Sequence, residues 1–199
     1  MNKTLHRNET REHLLATGEY LCLQRGFTGM GLSELLTQAK VPKGSFYHYF
    51  PSKEAFGVAL LERYFDHYLR QIQQQLYQGE GSPRERLLHH FRYGETLFRE
   101  QGHIVGCLAV KLSAEVCDLS EAMRAALQQG ADRIMAAYAR TLEQAQQQGE
   151  VSLRYPAPRF AELLYLLWLG ASLQSKISRE ASALSLALHA IEQLLSEQS

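Results

Sequence analysis

The side chains of this chain that could do chemistry fall into two sets. The first is three thiols, Cys22, Cys107 and Cys117, with Lys176 as a candidate companion. Thiolate is the nucleophilic form of cysteine, and a free thiol titrates near ~8.5, so reactivity needs a positive neighbour or a helix N-terminus. Cys107 follows Gly106 at the expected start of a helix, where the positive end of the dipole stabilises thiolate. Oxidation there would give a sulfenic acid, which can condense with a second thiol or with nitrogen. Lys176 stands alone on an otherwise apolar helix. A partly buried ammonium close to Cys107 would lower the thiol's pKa, and its amine could trap the oxidised sulfur. Residue types alone leave Cys107 open between a reactive thiol and a small packed hydrophobe, and Lys176 can instead carry its charge out to water. Cys22 lies on the apolar face of the first helix and reads as core. Cys117 reads as an accessory thiol or an inert one.

The second set is Val41-Pro42-Lys43-Gly44-Ser45-Phe46-Tyr47-His48-Tyr49-Phe50-Pro51-Ser52-Lys53, which mixes aromatic, basic and small polar residues and contains no carboxylate. The chain as a whole balances 21 basic against 21 acidic residues. A cationic island on a neutral protein points to a polyanionic partner met through a patch rather than a basic coat. Phe46 and Phe50 are four apart and share one helix face, the expected buried anchor. Gly44 and His48 point roughly opposite, flanked by Ser45 and Tyr47. Small residues at Gly44 and Ser45 let a helix N-terminus approach phosphate closely. Ser45 can bond a base edge, Tyr47 and Tyr49 can reach phosphate oxygens, and Lys43 and Lys53 supply charge.

The elements that must position these residues are helical throughout. The 199 residues contain no period-two alternation long enough for a sheet and no internal repeat. Helices are expected over Glu12–Arg25 with Gly26 as a stop, Leu32–Ala39, Lys43–Phe50 and Ser52–Tyr77. Pro42 breaks the second from the third, and Ser52 caps the fourth. After the Gly79–Pro83 linker, further helices are expected over Pro83–Gln101, Cys107–Val116, Ser120–Gln148, Pro158–Ser178 and Ala181–Ser196. The reading is an all-α chain of about nine helices. Residues 1–51 form a three-helix module and 52–199 a larger helical sensor and dimerisation body. The glutamines over 71–78 and 144–148 are assigned to exposed faces without chemistry.

Other classes are disfavoured. No apolar run approaches the ~20 residues of a membrane span, and the polar start Met1–Arg7 lacks a secretion signal's apolar core. Three cysteines do not form a disulfide framework, which suits a reducing cytoplasm. His89, His90 and His103 lack metal-ligand spacing, Glu95, Glu100 and Glu115 are scattered singles, and neither a phosphate-cradling loop nor a catalytic triad is present. Neither metal nor cofactor is expected.

Two short helices joined by a tight turn and braced by a first helix form a helix-turn-helix, whose second helix reads the DNA major groove. Lys43-Gly44-Ser45-Phe46-Tyr47-His48-Tyr49-Phe50 followed by Ser52-Lys53-Glu54 resembles the signature of the TetR family of bacterial transcriptional regulators, and Arg11 with Gly26-Phe27 fits it too. Three positions depart from the pattern: Lys40 stands where a turn glycine is common, Pro42 where serine is, and Gly31 where a serine or threonine cap is. The resemblance implies a repressor of double-stranded operator DNA. It assigns Ser45 and Tyr47 to DNA, Tyr49 and Lys53 to phosphate and His48 as an additional contact, and Lys43 and Gly44 join them by their charge and small size. It implies a homodimer through the last two helices, with recognition helices about one DNA turn apart, ~34–36 Å or somewhat more. Phe160 to Ile177, apolar nearly all round, should then be buried on every side.

Gly106-Cys107-Leu108 through Ser120, Trp168 through Arg179, and Gly57 through Arg63 resemble a branch of that family that senses electrophiles and reactive chlorine. The likeness is weak over 69–103 and 127–158. It implies that Cys107, with Lys176 and Cys117 as accessories, is modified by an electrophilic or oxidising small molecule. Modification would repack the sensor helices, shift the long Ser52–Tyr77 helix and respace the recognition helices. One alternative keeps DNA binding and makes the trigger a reversibly bound apolar ligand near Phe91, Phe98 and Trp168. A second, a small helical thiol transferase, gives no reason for the Lys43–Lys53 island.

Overall fold

In a computed structural model of the chain, the described residues are 3–102 and 107–196. Among them the chain forms helices and no strand: α1 (Lys3–Gly29), α2 (Leu32–Ala39), α3 (Lys43–Tyr49), α4 (Lys53–Gln78), α5 (Pro83–Gln101), α6 (Cys107–Val116), α7 (Glu121–Gln147), α8 (Ala157–Ser178) and α9 (Ser182–Leu194). None is long and apolar enough to cross a membrane. The packing groups residues 1–66 with 108–130, and residues 67–107 with 131–199. The first group therefore adds the first half of α4, nearly all of α6 and the start of α7 to the helices expected within 1–51.

In the first unit, α1 packs on α2 and α2 on α3. Its core is built from Leu14, Leu15, Leu21, Cys22, Met30, Leu35, Phe46, Phe50, Phe56 and Leu60, all buried. Phe46, Phe50 and Phe56 form an aromatic triangle with centroids 5.0–5.5 Å apart. The turn after α2 is closed by two reversed bonds, Val41 N–H to Leu36 O at 3.0 Å and Lys40 N–H to Thr37 O at 3.2 Å, the Schellman arrangement. It requires a left-handed residue, and Lys40 takes that role at φ 55°, ψ 38°. The lysine that replaces the usual glycine thus keeps the turn's geometry at a steric cost of about 1 kcal/mol. Pro42, extended at φ −62°, leads into α3, and its carbonyl accepts from Ser45 N–H at 2.9 Å. Ser52 caps α4 by accepting from Ala55 N–H at 3.0 Å.

α1 differs most from expectation. It starts at Lys3, well before Glu12, and Gly26 (φ 79°, ψ 174°) is a break inside it rather than its end, with one more helical turn over Phe27–Gly29.

In the second unit, α8 packs on α9 and α5 on α9. Ser82 and Glu85 form a reciprocal capping box that starts α5, with Pro83 at its first position. Phe91, Tyr138, Phe160, Leu164 and Trp168 are core residues. α8 is not buried on all sides within one subunit. Leu163, Leu166, Gly170, Leu173 and Ile177 form an exposed stripe along it, Ile177 being 67% exposed.

Candidate nucleic-acid interface and sensing residues

α3 has two unlike faces. Phe46 and Phe50 are buried, as their spacing predicts. Lys43, Gly44, Tyr47 and His48 are exposed, and Ser45 and Tyr49 half-buried. A side chain at Gly44 would meet nothing within 4 Å, so the start of this helix is open to close approach. Lys53, in the first turn of α4, is half-buried, and its ammonium stands 4.9 Å from the centroid of the Phe27 ring. The exposed side chains of α3 are thus backed by Phe46 and Phe50, which pack with Phe56 in the aromatic triangle.

The sensing residues are placed differently. Cys107 is the first residue of α6, the position its spacing predicts; its side chain, with residues 103–106, lies outside the described residues. Cys117 is half-buried in the turn after α6. Cys22 is fully buried, and burial, followed by the charge of Glu115, pushes its thiol up to about 12. It stays protonated near neutrality and is a core residue. Lys176 is exposed in the subunit, on the outward side of α8 between buried Ser175 and the exposed end of the helix, as in the reading that carries its charge to water.

Phe91, Phe98 and Trp168 are all buried, with Phe91 and Trp168 rings 5.1 Å apart. Beside Trp168 lies a cavity of about 20 Å³, bounded also by Tyr68, Ile72, Gln75, His90 and Gly94. That is the size of a single water, too small for an apolar ligand unless its lining side chains move.

Two groups escaped the sequence reading. His90 is buried, with Nδ1 2.7 Å from Gln75 Oε1 and Nε2 2.8 Å from Tyr138 OH. Nδ1–H donates to the amide oxygen and Nε2 accepts from the phenol, which fits a neutral ring. Burial, then the neighbouring His89, pushes its pKa down to about 4. Gln75, assigned to an exposed face, is thus half-buried and bonded to the buried His90. Glu115 accepts from the backbone of Phe27 and Thr28 at the α1 break. The one available clue was its place on α6, two turns after Cys107. Among the described residues no group of three acidic, histidine or cysteine side chains could hold a metal.

A three-helix module with an aromatic anchor and an open polar face, continued by a helical body, defines a helix-turn-helix transcriptional regulator rather than an enzyme. The family described as "Bacterial regulatory proteins, tetR family" matches residues 14–60, and "Tetracyclin repressor-like, C-terminal domain" matches 83–191; the chain belongs to the TetR family. It is 52% identical over 195 residues to the HTH-type transcriptional repressor NemR of Escherichia coli strain K12, covering 98% of each chain. It is 34% identical to the transcriptional regulator AcuR of Cereibacter sphaeroides over 83% of this chain and 76% of that one. The crystal structure of the reduced form of E. coli NemR superposes with a TM-score of 0.91 at 51% identity, over 96% of this chain and 99% of that one.

Proposed function

We propose that this chain is a dimeric cytoplasmic repressor that leaves its operator when Cys107 is modified by an electrophile or oxidant. The open face of α3 carries the DNA half of this reading. Lys43, Gly44, Ser45, Tyr47 and His48 meet the major groove, and Tyr49 and Lys53 meet phosphate. Dimerisation through α8 and α9 is supported by the apolar stripe from Leu163 to Ile177, with Leu186 also exposed on α9. Gly170 at the stripe's centre leaves room for a second helix.

The sensing half is supported by the near full-length similarity to NemR, by the superposition on that protein's reduced form, and by the place of Cys107 at a helix N-terminus. Cys22 is excluded by its burial and raised pKa. An N-substituted maleimide adds its double bond to the thiolate sulfur, and the adjacent carbon takes a proton from water. With hypochlorous acid the thiolate takes the chlorine and releases hydroxide, and water then displaces chloride from the sulfenyl chloride to give the sulfenic acid and a proton. The sulfenic acid then condenses with an amine, releasing water. Lys176 is the proposed amine, and Cys117 the accessory thiol. Either product removes a thiolate from the start of α6 and adds bulk there.

A Cys107→Ser variant tests the trigger. It binds operator like the parent and keeps it after treatment with N-ethylmaleimide or hypochlorite; release of DNA by the treated variant would overturn the reading.

A further inference from the structure

We infer that Glu115 of α6 positions Lys53 for its DNA contact, acting through the backbone and ring of Phe27. Gly26 breaks α1 and frees the N–H groups that follow. Phe27 N–H donates to Glu115 Oε2 at 3.0 Å, and Thr28 donates from both its N–H and its hydroxyl to Oε1. The break is shaped for this carboxylate. A Cβ at Gly26 would lie 2.5 Å from Glu115 Oε2, and the positive φ excludes most side chains independently. One turn earlier on α6, Lys111 Nζ donates to Leu23 O at 2.6 Å, on the other side of the break. Hence α6 grips α1 before and after Gly26, completing the carbonyl end of one helical stretch and the amide end of the next.

Burial alone would raise the Glu115 pKa; the bonds from Thr28 and Phe27 and the nearby Lys111 outweigh it and hold the carboxyl below its usual range. The grip is therefore an ionised carboxylate on three donors near neutral pH. From there the path to Lys53 is short. The buried Phe27 ring lies against Gly57, where an added Cβ would stand 2.7 Å from its Cζ. Gly57 is one turn after Lys53 on α4, so the ring that packs there also lies under the Lys53 ammonium. Moving Phe27 moves the support of that charge. Cys107, Lys111 and Glu115 fall at i, i+4 and i+8 of α6, so a shift of this helix moves both grips together.

This inference rests on the proposed Lys53–phosphate contact, and the test separates the two. A labelled duplex of the DNA upstream of the protein's own coding sequence is titrated, over a range of salt, with the parent, Lys53→Ala, Glu115→Ala, Glu115→Gln and both double variants. Lys53→Ala is expected to weaken binding roughly tenfold, the loss of one charge-assisted contact. It should also flatten the salt slope by about 0.9. Glu115→Ala weakens binding severalfold and flattens the slope in the same sense, and the double variant binds no more weakly than Lys53→Ala. Glu115→Gln, which keeps one acceptor, gives a smaller loss in the same direction and supplies the same cycle if the alanine variant does not fold. Lys53→Ala with parental affinity and slope would sink the phosphate contact. With that contact upheld, a Glu115 loss that adds in full to the Lys53 loss, or no loss at all, would sink the positioning role.

Discussion

Phe46 and Tyr47 are neighbours on α3 with opposite fates: their rings meet edge-on at 5.4 Å and 88°, yet Phe46 is fully buried and Tyr47 is 49% exposed. The same helical turn thus anchors the module and presents its surface. The two substitutions should separate cleanly. Phe46→Ala empties the aromatic triangle and costs about 3–5 kcal/mol of stability. Tyr47→Ala stays within about 0.5 kcal/mol in stability but weakens operator binding. Thermal melts and gel shifts on both variants check this; a destabilised Tyr47→Ala, or one that binds DNA normally, contradicts it.

Lys40 holds a left-handed turn that a glycine would adopt without strain. Lys40→Gly relieves the Cβ clash and loses part of the gain to a more flexible unfolded chain. The net expectation is roughly 0.5–1 kcal/mol of added stability. For a chain of this size that is a rise of about 2–4 °C per kcal/mol in melting temperature. An unchanged or lower melting temperature would show that the turn carries no strain.

His90 makes the fold sensitive to mild acid. Its folded pKa, about 4, lies below the ordinary value of 6.5, so between those limits the unfolded chain binds the extra proton. Stability from this residue is complete above pH 6.5 and is lost as pH falls towards 4, by roughly 3 kcal/mol in full. Glu95 and Glu115, both held below the usual carboxylate range, act in the same direction but at lower pH. Denaturant melts at pH 7 and pH 5 should show the loss in the parent and a flatter profile in His90→Gln. Equal slopes in both would remove His90 as the cause.

The exposed apolar stripe on α8 is the proposed seat of the dimer. Ile177→Glu places a carboxylate where the proposed partner helix lies and should yield a folded monomer by sedimentation, with operator binding reduced because both half-sites are no longer held together. A variant that remains dimeric would move the interface elsewhere.

Local signals carried much of this fold. Helix bounds at Leu32–Ala39, Pro83–Gln101 and Cys107–Val116 follow from caps and prolines within a few residues, and the buried pair Phe46 and Phe50 follows from helical spacing. Contacts between distant parts of the sequence were not legible. Gly26 reads locally as a helix stop, yet its geometry serves a carboxylate 88 residues from Phe27. Gln75 reads as one of several surface glutamines, yet it pairs with His90 across 15 residues. For Lys176 the sequence left two placements open, and its exposed position on α8 in the subunit matches the one that carries its charge to water. Nor does the order of residues say which turn residue tolerates a left-handed backbone, so Lys40 looked like a departure and proved an equivalent.

In the proposed function one thiol, Cys107, converts chemical exposure into loss of DNA binding. The most direct measurement follows operator affinity of the parent and of Cys107→Ser before and after N-ethylmaleimide, with mass spectrometry locating the adduct. An adduct on Cys107 with loss of binding is expected in the parent, and retained binding in the variant. Release of DNA by the treated variant, or full binding by a parent fully alkylated at Cys107, would contradict it.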